Sequence, residues 1–347
     1  MTEWRYIAAF AAHFARCDLI DGEVVALLSE TQSRPVLVET ARLAAQSLGG
    51  RVFDIVVPSP VSAHSVPIRS TGASQAIAGN ASVVAALSSA GMVIDCTVEG
   101  LLHAPELGSI LGGGARVLMI SNEHPDIFER LGWDADLPRR VEVAHRWLRQ
   151  ADQMRVTSEA GTDLTINLAG AFTAGSTGVT SGPGSIAHWP GGLVIAFPAA
   201  NSVNGTLVMT AGDINLTFNR IVESPIKLII VDDHITTVDG DGVDAQLFRS
   251  YLASFGDRAS HATSHVGWGM NEAARWETVE LYDRRETWGT EARAVAGNFL
   301  YSTGANEVAG RFTAGHFDLP MRHCTIALDG KNVVEQGQLV AELRGSQ

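Results

Sequence analysis

The chain has 347 residues, of which 46% are hydrophobic and 18% are charged, so it is a globular protein long enough for about two domains. Its formal net charge is −13, from 25 Lys and Arg against 38 Asp and Glu, which argues against nucleic acid or an anionic membrane as partner because both require a basic face. No apolar run reaches the ~18 residues needed to span a bilayer, and three widely spaced cysteines, Cys17, Cys96 and Cys324, favour a reducing cytoplasm over a disulfide framework.

The first half of the chain alternates helical and strand-like segments. Apolar residues at helical spacing predict helices over residues 6–12, 35–49, 81–90 and 137–151. Short apolar runs predict buried strands over residues 52–57, 92–96 and 115–120, whereas the glycine-rich segment 108–114 is predicted to be a turn. This alternation predicts an α/β domain over residues 1–150, with a parallel sheet flanked by helices.

Beyond residue 151 the pattern changes to closely spaced strands. Residues 163–168 alternate polar with apolar side chains, which predicts a half-buried strand. Further strands are predicted over residues 192–197, 205–210 and 226–231, in a region rich in glycine. We therefore expect a β-rich α+β domain over residues 151–347.

Histidines and carboxylates supply the candidate functional residues. His316 and Asp318 form an H-x-D pair on a predicted extended segment, where residues two apart share a face. With one distant histidine, such a pair would complete a 2-His-1-carboxylate set, which holds Fe(II) and leaves coordination positions open. His261 and His265 would share one face of a helix and suit zinc, but the glycines that follow predict that a helix ends near His265.

Four segments of the second half resemble the metal-binding segments of the aminopeptidase T-like metalloaminopeptidases. In that family the segments read approximately N-x-P-x-G-E-V, E-x-G-x-G-x-N, G-T-I-H-I-A-x-G and H-x-D, and their side chains hold a pair of metals. The corresponding segments here are HWPGGLVIAFPAANSVNG (188–205), SHVGWGMNE (264–272), GNFLYSTGAN (297–306) and GHFD (315–318). The resemblance covers most of residues 180–320 and implies a catalytic domain of aminopeptidase T-like type.

The chain departs from that family at three of the metal ligands. Leu193 and Leu300 stand where the family has a Glu and a His, and His265 stands where it has a second Glu. Only the last segment keeps both ligands, as His316 and Asp318. The resemblance thus implies a mononuclear set of His265, His316 and Asp318 that binds one Fe(2+) per chain, in place of the metal pair used for peptide hydrolysis.

The altered pattern, together with the segment EGLLHAPEL (99–107), resembles the 2,5-dihydroxypyridine 5,6-dioxygenase family. The resemblance implies ring cleavage of 2,5-dihydroxypyridine by O2 to N-formylmaleamate, in nicotinate and pyridine breakdown. It also implies that His103 is the base that deprotonates the substrate, with Leu102 beside it facing the metal. An imidazole that titrates near pH ~6.5 suits this role, and the end of a parallel strand is where α/β sheets place ligands. His188 and Ser302 are candidates for hydrogen bonds to the substrate.

Three alternatives belong to other functional classes or substrates. A divergent metallopeptidase using Zn or Co is one, although Leu193 and Leu300 argue against it. A dioxygenase acting on another hydroxylated N-heteroaromatic or an aminophenol is the second, and a non-catalytic binding module, which an intact ligand set disfavours, is the third. Because related enzymes are homo-oligomers, we expect a cytoplasmic homo-oligomer of at least two chains.

Overall fold

Helices and strands divide the molecule into a helix-rich and a strand-rich part. The structure is a computed structural model and describes residues 2–61, 64, 75–283 and 286–345. Within these ranges the α-helices are α1 (Trp4–Arg16), α2 (Pro35–Ser47), α3 (Ala81–Ser88), α4 (Leu107–Gly112), α5 (Pro125–Leu131), α6 (Leu137–Gln150), α7 (Val243–Phe255), α8 (Thr278–Leu281) and α9 (Glu291–Ala294). Short 3₁₀ turns span Leu216–Phe218, Arg258–His261, Glu307–Ala309 and Ala341–Leu343.

The strands of the described residues form one parallel sheet and three antiparallel sheets. They are β1 (Val24–Glu30), β2 (Arg51–Val57), β3 (Met92–Asp95), β4 (Arg116–Met119), β5 (Gln153–Thr157), β6 (Asp163–Asn167), β7 (Phe172–Ser176), β8 (Ile186–His188), β9 (Leu193–Phe197), β10 (Val203–Met209), β11 (Ile214–Asn215), β12 (Arg220–Ile221), β13 (Ile226–Val231), β14 (His234–Asp239), β15 (Thr263–Gly269), β16 (Phe299–Thr303), β17 (Phe317–Met321), β18 (Thr325–Leu328), β19 (Lys331–Glu335) and β20 (Gln338–Leu339).

The parallel sheet has the strand order β2-β1-β3-β4-β8. Its central strands β1 and β3 are almost entirely buried, because helices cover both faces of the sheet. The helices α1, α2 and α5 pack on one face, while α3 and α4 pack on the other. The predicted α/β arrangement of the first half is confirmed.

Two features of this part were not predicted correctly from the sequence. The segment predicted as a turn over residues 108–114 is instead the short helix α4, because Ile110 is fully buried against the cluster that includes α3. Strand β8 comes from beyond residue 151, yet it pairs with β4 and matches Met119 with His188. The chain therefore returns to the first sheet after leaving it, and the boundary at residue 150 stays a prediction.

The strand-rich part consists mainly of two antiparallel sheets that share one core. The larger has the order β14-β13-β10-β6-β5-β18-β19-β20, and the smaller has the order β17-β16-β15-β9-β7. The alternating burial of β6 confirms the predicted half-buried strand. Buried side chains of both sheets, of α6 and of α7 form a single cluster that includes Trp268, Tyr301 and Phe317. No helix in the described ranges is long and apolar enough to cross a membrane.

Candidate active site

His265 lies at an irregularity in the smaller antiparallel sheet. It lies on β15, where the pairing with β16 shifts register between Thr263 and Val266. Such a bulge re-aims the side chains of the strand that contains it. The Nδ1 atom of His265 contacts the hydroxyl of Ser264 at 3.1 Å, and the side chain is 7% exposed. The helical interpretation of His261 and His265 is wrong, because His261 ends a 3₁₀ turn and His265 lies on a strand.

His316 and Asp318 flank the first residue of β17 and point to the same side. The Nε2 atom of His316 lies 3.3 Å from Oδ1 of Asp318, which confirms the shared face predicted from the period-two spacing. His265 Nε2 lies 3.6 Å from the same oxygen. The imidazole of His265 on β15 therefore meets the imidazole and the carboxylate at the start of β17.

A glycine opposite His316 allows this approach. Gly304 follows β16 with a φ of +115°, and a Cβ built on it would lie 2.3 Å from the carbonyl oxygen of Gly315. Any larger residue would push the segment that carries His316 away from the sheet. The carbonyl oxygen of His316 accepts hydrogen bonds from Thr217 Oγ1 at 2.9 Å and from Tyr251 OH at 3.1 Å, and these bonds fix its backbone.

Two further side chains bind the carboxylate of Asp318. Ser302 is paired directly with Asp318 across β16 and β17, and its hydroxyl donates a hydrogen bond to Oδ1. Arg293, on α9, forms an ion pair of 2.6 Å between its Nε and Oδ2. Burial alone would raise the pKa of the Asp318 carboxyl, but Arg293 and then His316 hold that pKa well below its usual value. Asp318 is therefore ionised.

His103 reaches these residues from the parallel-sheet part. It lies in the loop after β3, and its ring centroid is 5.9 Å from that of His316 and 6.2 Å from that of His265. Phe197 packs beside both His103 and His265, with centroids 6.1 Å and 5.1 Å away. The structure thus brings His103 and the three residues of the second half into one cluster, with an aromatic wall.

The electrostatics of the histidines differ from the sequence-based expectation. Burial lowers the pKa of His103 to about 3, and the neighbouring His316 adds to the shift. Burial also lowers the pKa of His265 to about 3. His103 therefore does not have the near-neutral pKa that was expected from the sequence. Both imidazoles are neutral at pH 7, and each keeps a nitrogen lone pair.

The other predicted substrate contacts lie around the same cluster. His188 ends β8, its Nε2 lies 3.4 Å from the Ser121 hydroxyl, and burial followed by the charge of Arg293 lowers its pKa to about 3. Leu102, beside His103, is 37% exposed. Contacts of His188, Ser302 and Leu102 with a substrate remain predictions, and the bond from Ser302 to Asp318 was not foreseen.

The set of His265, His316 and Asp318 fits a divalent first-row metal by donor type. Two imidazole nitrogens and a carboxylate oxygen are donors that suit Fe(II). Ligands at adjacent positions around an ion with bonds of 2.0–2.1 Å are about 3 Å apart, close to the observed 3.3 Å and 3.6 Å. As the side chains stand, no group of three His, Cys, Asp or Glu residues in the described ranges is placed to hold a metal ion.

Two residues of the site, Arg293 and Phe197, were not predicted from the sequence. Phe197 lies within a segment that carried the family resemblance, but its own residue type gave no chemical signal. Arg293 lies on a four-residue helix outside every such segment, and its partner Asp318 is 25 residues further along the chain. Only the three-dimensional pairing of α9 with β17 reveals it.

Comparisons with known proteins identify first the fold and then the family. The fold is the aminopeptidase T-like fold: the solved structure of AmpT from Thermus thermophilus matches with a TM-score of 0.62 and 13% identity, over 97% of this chain and 99% of that one. Residues 5–341 match the 2,5-dihydroxypyridine 5,6-dioxygenase family, and the chain belongs to that family. It is therefore an oxidoreductase of the dioxygenase type.

Individual relatives support the family assignment. The chain is 37% identical over 321 residues to the 2,5-dihydroxypyridine 5,6-dioxygenase of Pseudomonas putida strain KT2440, covering 91% of each sequence. The solved structure of the 2,5-dihydroxypyridine dioxygenase from Pseudomonas putida KT2440 matches with a TM-score of 0.90 and 34% identity over 98% of each chain. The predicted family and fold are confirmed, and the metallopeptidase alternative is disfavoured.

Proposed function

We propose that this protein cleaves 2,5-dihydroxypyridine with O2 to give N-formylmaleamate in nicotinate and pyridine breakdown. The observation that carries the proposal is the family match over residues 5–341, on a chain whose candidate ligands and base converge in one cluster. In this reaction the bond between C5 and C6 breaks and both oxygen atoms of O2 enter the product. C5 becomes the carboxylate carbon and C6 the formyl carbon.

One Fe(2+) per chain would be held by His265, His316 and Asp318. Bound iron would supply the electrons that let triplet O2 react with a closed-shell ring, which no amino-acid side chain can do. The chain prepares the site by keeping the His265 imidazole neutral and Asp318 ionised. Metal–ligand bonds would replace the direct contacts that the imidazoles now make with the carboxylate.

His103 would accept a hydroxyl proton from the substrate on a ring nitrogen. Its low pKa makes the neutral form dominant, so the lone pair is available before the substrate arrives. The imidazolium formed would lie beside the new substrate anion, and this attraction would offset the unfavourable burial of the charge. Phe197 would pack against the bound ring and exclude water. His188, Ser302 and Leu102 remain the proposed substrate contacts.

We also expect a homo-oligomer in the cytoplasm, as predicted from the sequence. Light scattering at micromolar concentration tests the assembly. A particle of about twice the 36.8 kDa chain mass or more is expected, whereas a monomer would contradict the expectation.

The test of the function is an anaerobic reconstitution followed by addition of oxygen. Metal-free protein is loaded with Fe(II), mixed with 2,5-dihydroxypyridine and then exposed to O2, while ring absorbance and O2 uptake are followed together. We expect one O2 consumed for each ring lost, and both atoms of ¹⁸O2 in the product. The metal-free protein and 2-hydroxypyridine, which lacks the electron-donating 5-hydroxyl group, serve as negative controls.

Two results would contradict the proposal. Loss of the ring without O2 uptake would exclude a dioxygenase. Hydrolysis of a leucine peptide by the Zn- or Co-loaded protein, with no cleavage of 2,5-dihydroxypyridine by the iron form, would favour the peptidase alternative.

A further inference from the structure

The two oxygen atoms of Asp318 have different surroundings. Oδ2 forms the 2.6 Å ion pair with Nε of Arg293. Oδ1 faces the Nε2 atoms of His316 and His265, and it accepts the hydrogen bond from Ser302. The carboxylate is 4% exposed and the Arg293 side chain 19% exposed, so the ion pair is shielded from solvent. The cation therefore occupies one side of a carboxylate whose other side faces the proposed metal ligands.

Neighbouring residues hold Arg293 firmly in this position. Glu291, two residues earlier on α9, is fully buried and forms an ion pair with Arg130 of the first half of the chain. The side-chain amide of Asn298 donates to the carbonyl oxygens of Ala292 at 2.8 Å and of Arg293 at 3.0 Å. A helix of only four residues gains its rigidity from these contacts, because it has too few internal hydrogen bonds to be stable alone.

A buried carboxylate from the first half fixes the start of the same helix. Glu123 is fully buried, and its Oε1 accepts hydrogen bonds of 2.6 Å from both the backbone N–H and the hydroxyl of Thr290. Its Oε2 accepts from Thr287 Oγ1 and from the backbone N–H of Trp288, each at 3.0 Å. The side chain of Arg293 therefore projects toward Asp318 from a fixed backbone.

We propose that Arg293 is a positioning residue that restricts Asp318 to a single ligand oxygen, Oδ1. A carboxylate has about four lone-pair sites and can bind a metal through one or both oxygens. Because the guanidinium blocks Oδ2, Asp318 occupies one coordination position, and the three ligands together leave the others open for substrate and O2. The inference rests on the proposed function, since it assumes that a metal binds at these three residues.

The test counts the water molecules on a bound metal ion. Mn²⁺ serves as the probe, because the relaxation of solvent protons by Mn²⁺ scales with the number of exchangeable waters that it carries. Arg293→Met removes both the charge and the contact, and Arg293→Lys keeps the charge without the planar guanidinium. Arg275→Met is the matched control, since Arg275 is 63% exposed and lies 3.9 Å from Glu277 on the surface.

We expect the wild type and Arg275→Met to give the same proton relaxivity. In Arg293→Met the freed Oδ2 should displace one of three waters and lower the relaxivity by about one third. The kcat for ring cleavage by the iron form should fall by about tenfold or more, the usual scale for residues that orient a metal ligand. Arg293→Lys should lie between the wild type and Arg293→Met in both measurements.

Thermal melting of every variant separates these effects from misfolding. If Arg293→Met has a lower melting temperature than the wild type, the same measurements are made on Arg293→Gln. The same decrease in relaxivity and in kcat is expected for that variant. Unchanged relaxivity and kcat in a folded Arg293 variant of an active enzyme would overturn the inference and leave the proposed function intact. Two results together would overturn both the inference and the proposed function. They are Mn²⁺ binding that His265→Ala does not change, and no ring cleavage by the iron-loaded wild type.

Discussion

The two sides of the site are held in place by different means. On the strand-rich side, His265 and Asp318 lie on antiparallel strands whose register pairs Ser302 with Asp318. On the parallel-sheet side, His103 lies in a loop, and buried carboxylates bind the backbone of that loop. Asp95 accepts hydrogen bonds from the Thr97 N–H, the Thr97 hydroxyl and the Leu101 N–H, at 2.9, 2.6 and 2.8 Å.

The two sides of the site should respond differently to the loss of a side chain and to a change of pH. A strand fixes its side chains through many backbone hydrogen bonds, so losing one side chain removes a function and leaves the frame intact. The loop of His103 depends on hydrogen bonds to the carboxylate of Asp95, and also on Glu30, whose Oε1 accepts from the Val98 N–H at 2.5 Å. We therefore expect mild acid to leave Asp318 on the metal-ligand side ionised, and to protonate Asp95 beneath the loop that carries the base.

The largest effect is expected for the proposed ligands on the strand side. Alanine at His265, His316 or Asp318 should lower turnover by on the order of 10³-fold or more, since a metal contributes several kcal/mol of stabilisation. Iron content measured after reconstitution should fall in parallel, while the melting temperature of the two histidine variants without metal stays near that of the wild type. Full activity of His265→Ala after reloading with Fe(II) would contradict the ligand assignment.

On the loop side, His103→Ala should leave iron content and substrate binding unchanged. Turnover should fall by on the order of 10²-fold, as expected for the loss of a general base. A pH high enough to ionise the substrate in solution should restore part of the rate, and stopped-flow kinetics at several pH values would show it. Loss of iron from this variant would place His103 among the ligands and remove the distinction between the two sides.

A smaller effect is expected for Ser302, whose hydroxyl binds Asp318. Ser302→Ala should weaken metal affinity by roughly tenfold, because one hydrogen bond that orients the carboxylate is lost. Competition with a metal chelator measures this affinity, and Ser254→Ala, which removes an exposed serine of α7, is the control. If Ser302→Ala raises KM and leaves metal affinity unchanged, the serine serves the substrate instead, as predicted from the sequence.

The smallest effect on activity, and a distinct effect on stability, is expected for Asp95. Burial raises the pKa of Asp95 to about 6 from an ordinary value of 3.8, although the hydrogen bonds from Thr97 and Leu101 oppose the shift. Between these two pH values the folded state binds the proton more tightly than the unfolded chain does. The contribution of Asp95 to the free energy of unfolding therefore decreases by about 3 kcal/mol as the pH rises from about 4 to about 6.

Asp95→Asn should remove this pH dependence. Urea unfolding of both proteins over that range measures the difference, and turnover of the variant at neutral pH should fall only severalfold because its amide can still accept one of the hydrogen bonds. An identical pH dependence of stability in the two proteins would show that Asp95 does not titrate in this range.

The predictable part of the site depended on local chain geometry. His316 and Asp318 could be paired from the sequence because alternation of side chains along a strand is a property of adjacent residues. His265 was found by its place in a segment resembling a known family, but the bulge that directs it arises from pairing with β16. Such a shift in register depends on the partner strand, so it cannot be predicted from the residue type at position 265.

The rest of the fold and site depended on contacts between distant segments. Arg293 lies near Asp318 only because Glu123 and Arg130, both from the first half, fix the short helix that carries it. The glycine-rich stretch predicted as a turn became a helix because Ile110 could be buried against neighbours that come earlier in the chain. The low pKa of His103 likewise follows from burial among residues of the other half.

The most direct test of a single metal centre between the two sides is anomalous diffraction at the iron edge from crystals of the Fe(II)-loaded protein. We expect one anomalous peak per chain, within bonding distance of His265, His316 and Asp318, and no bond from the peak to His103. Two peaks per chain, or a single peak away from Asp318, would contradict the mononuclear site and with it the proposed mechanism.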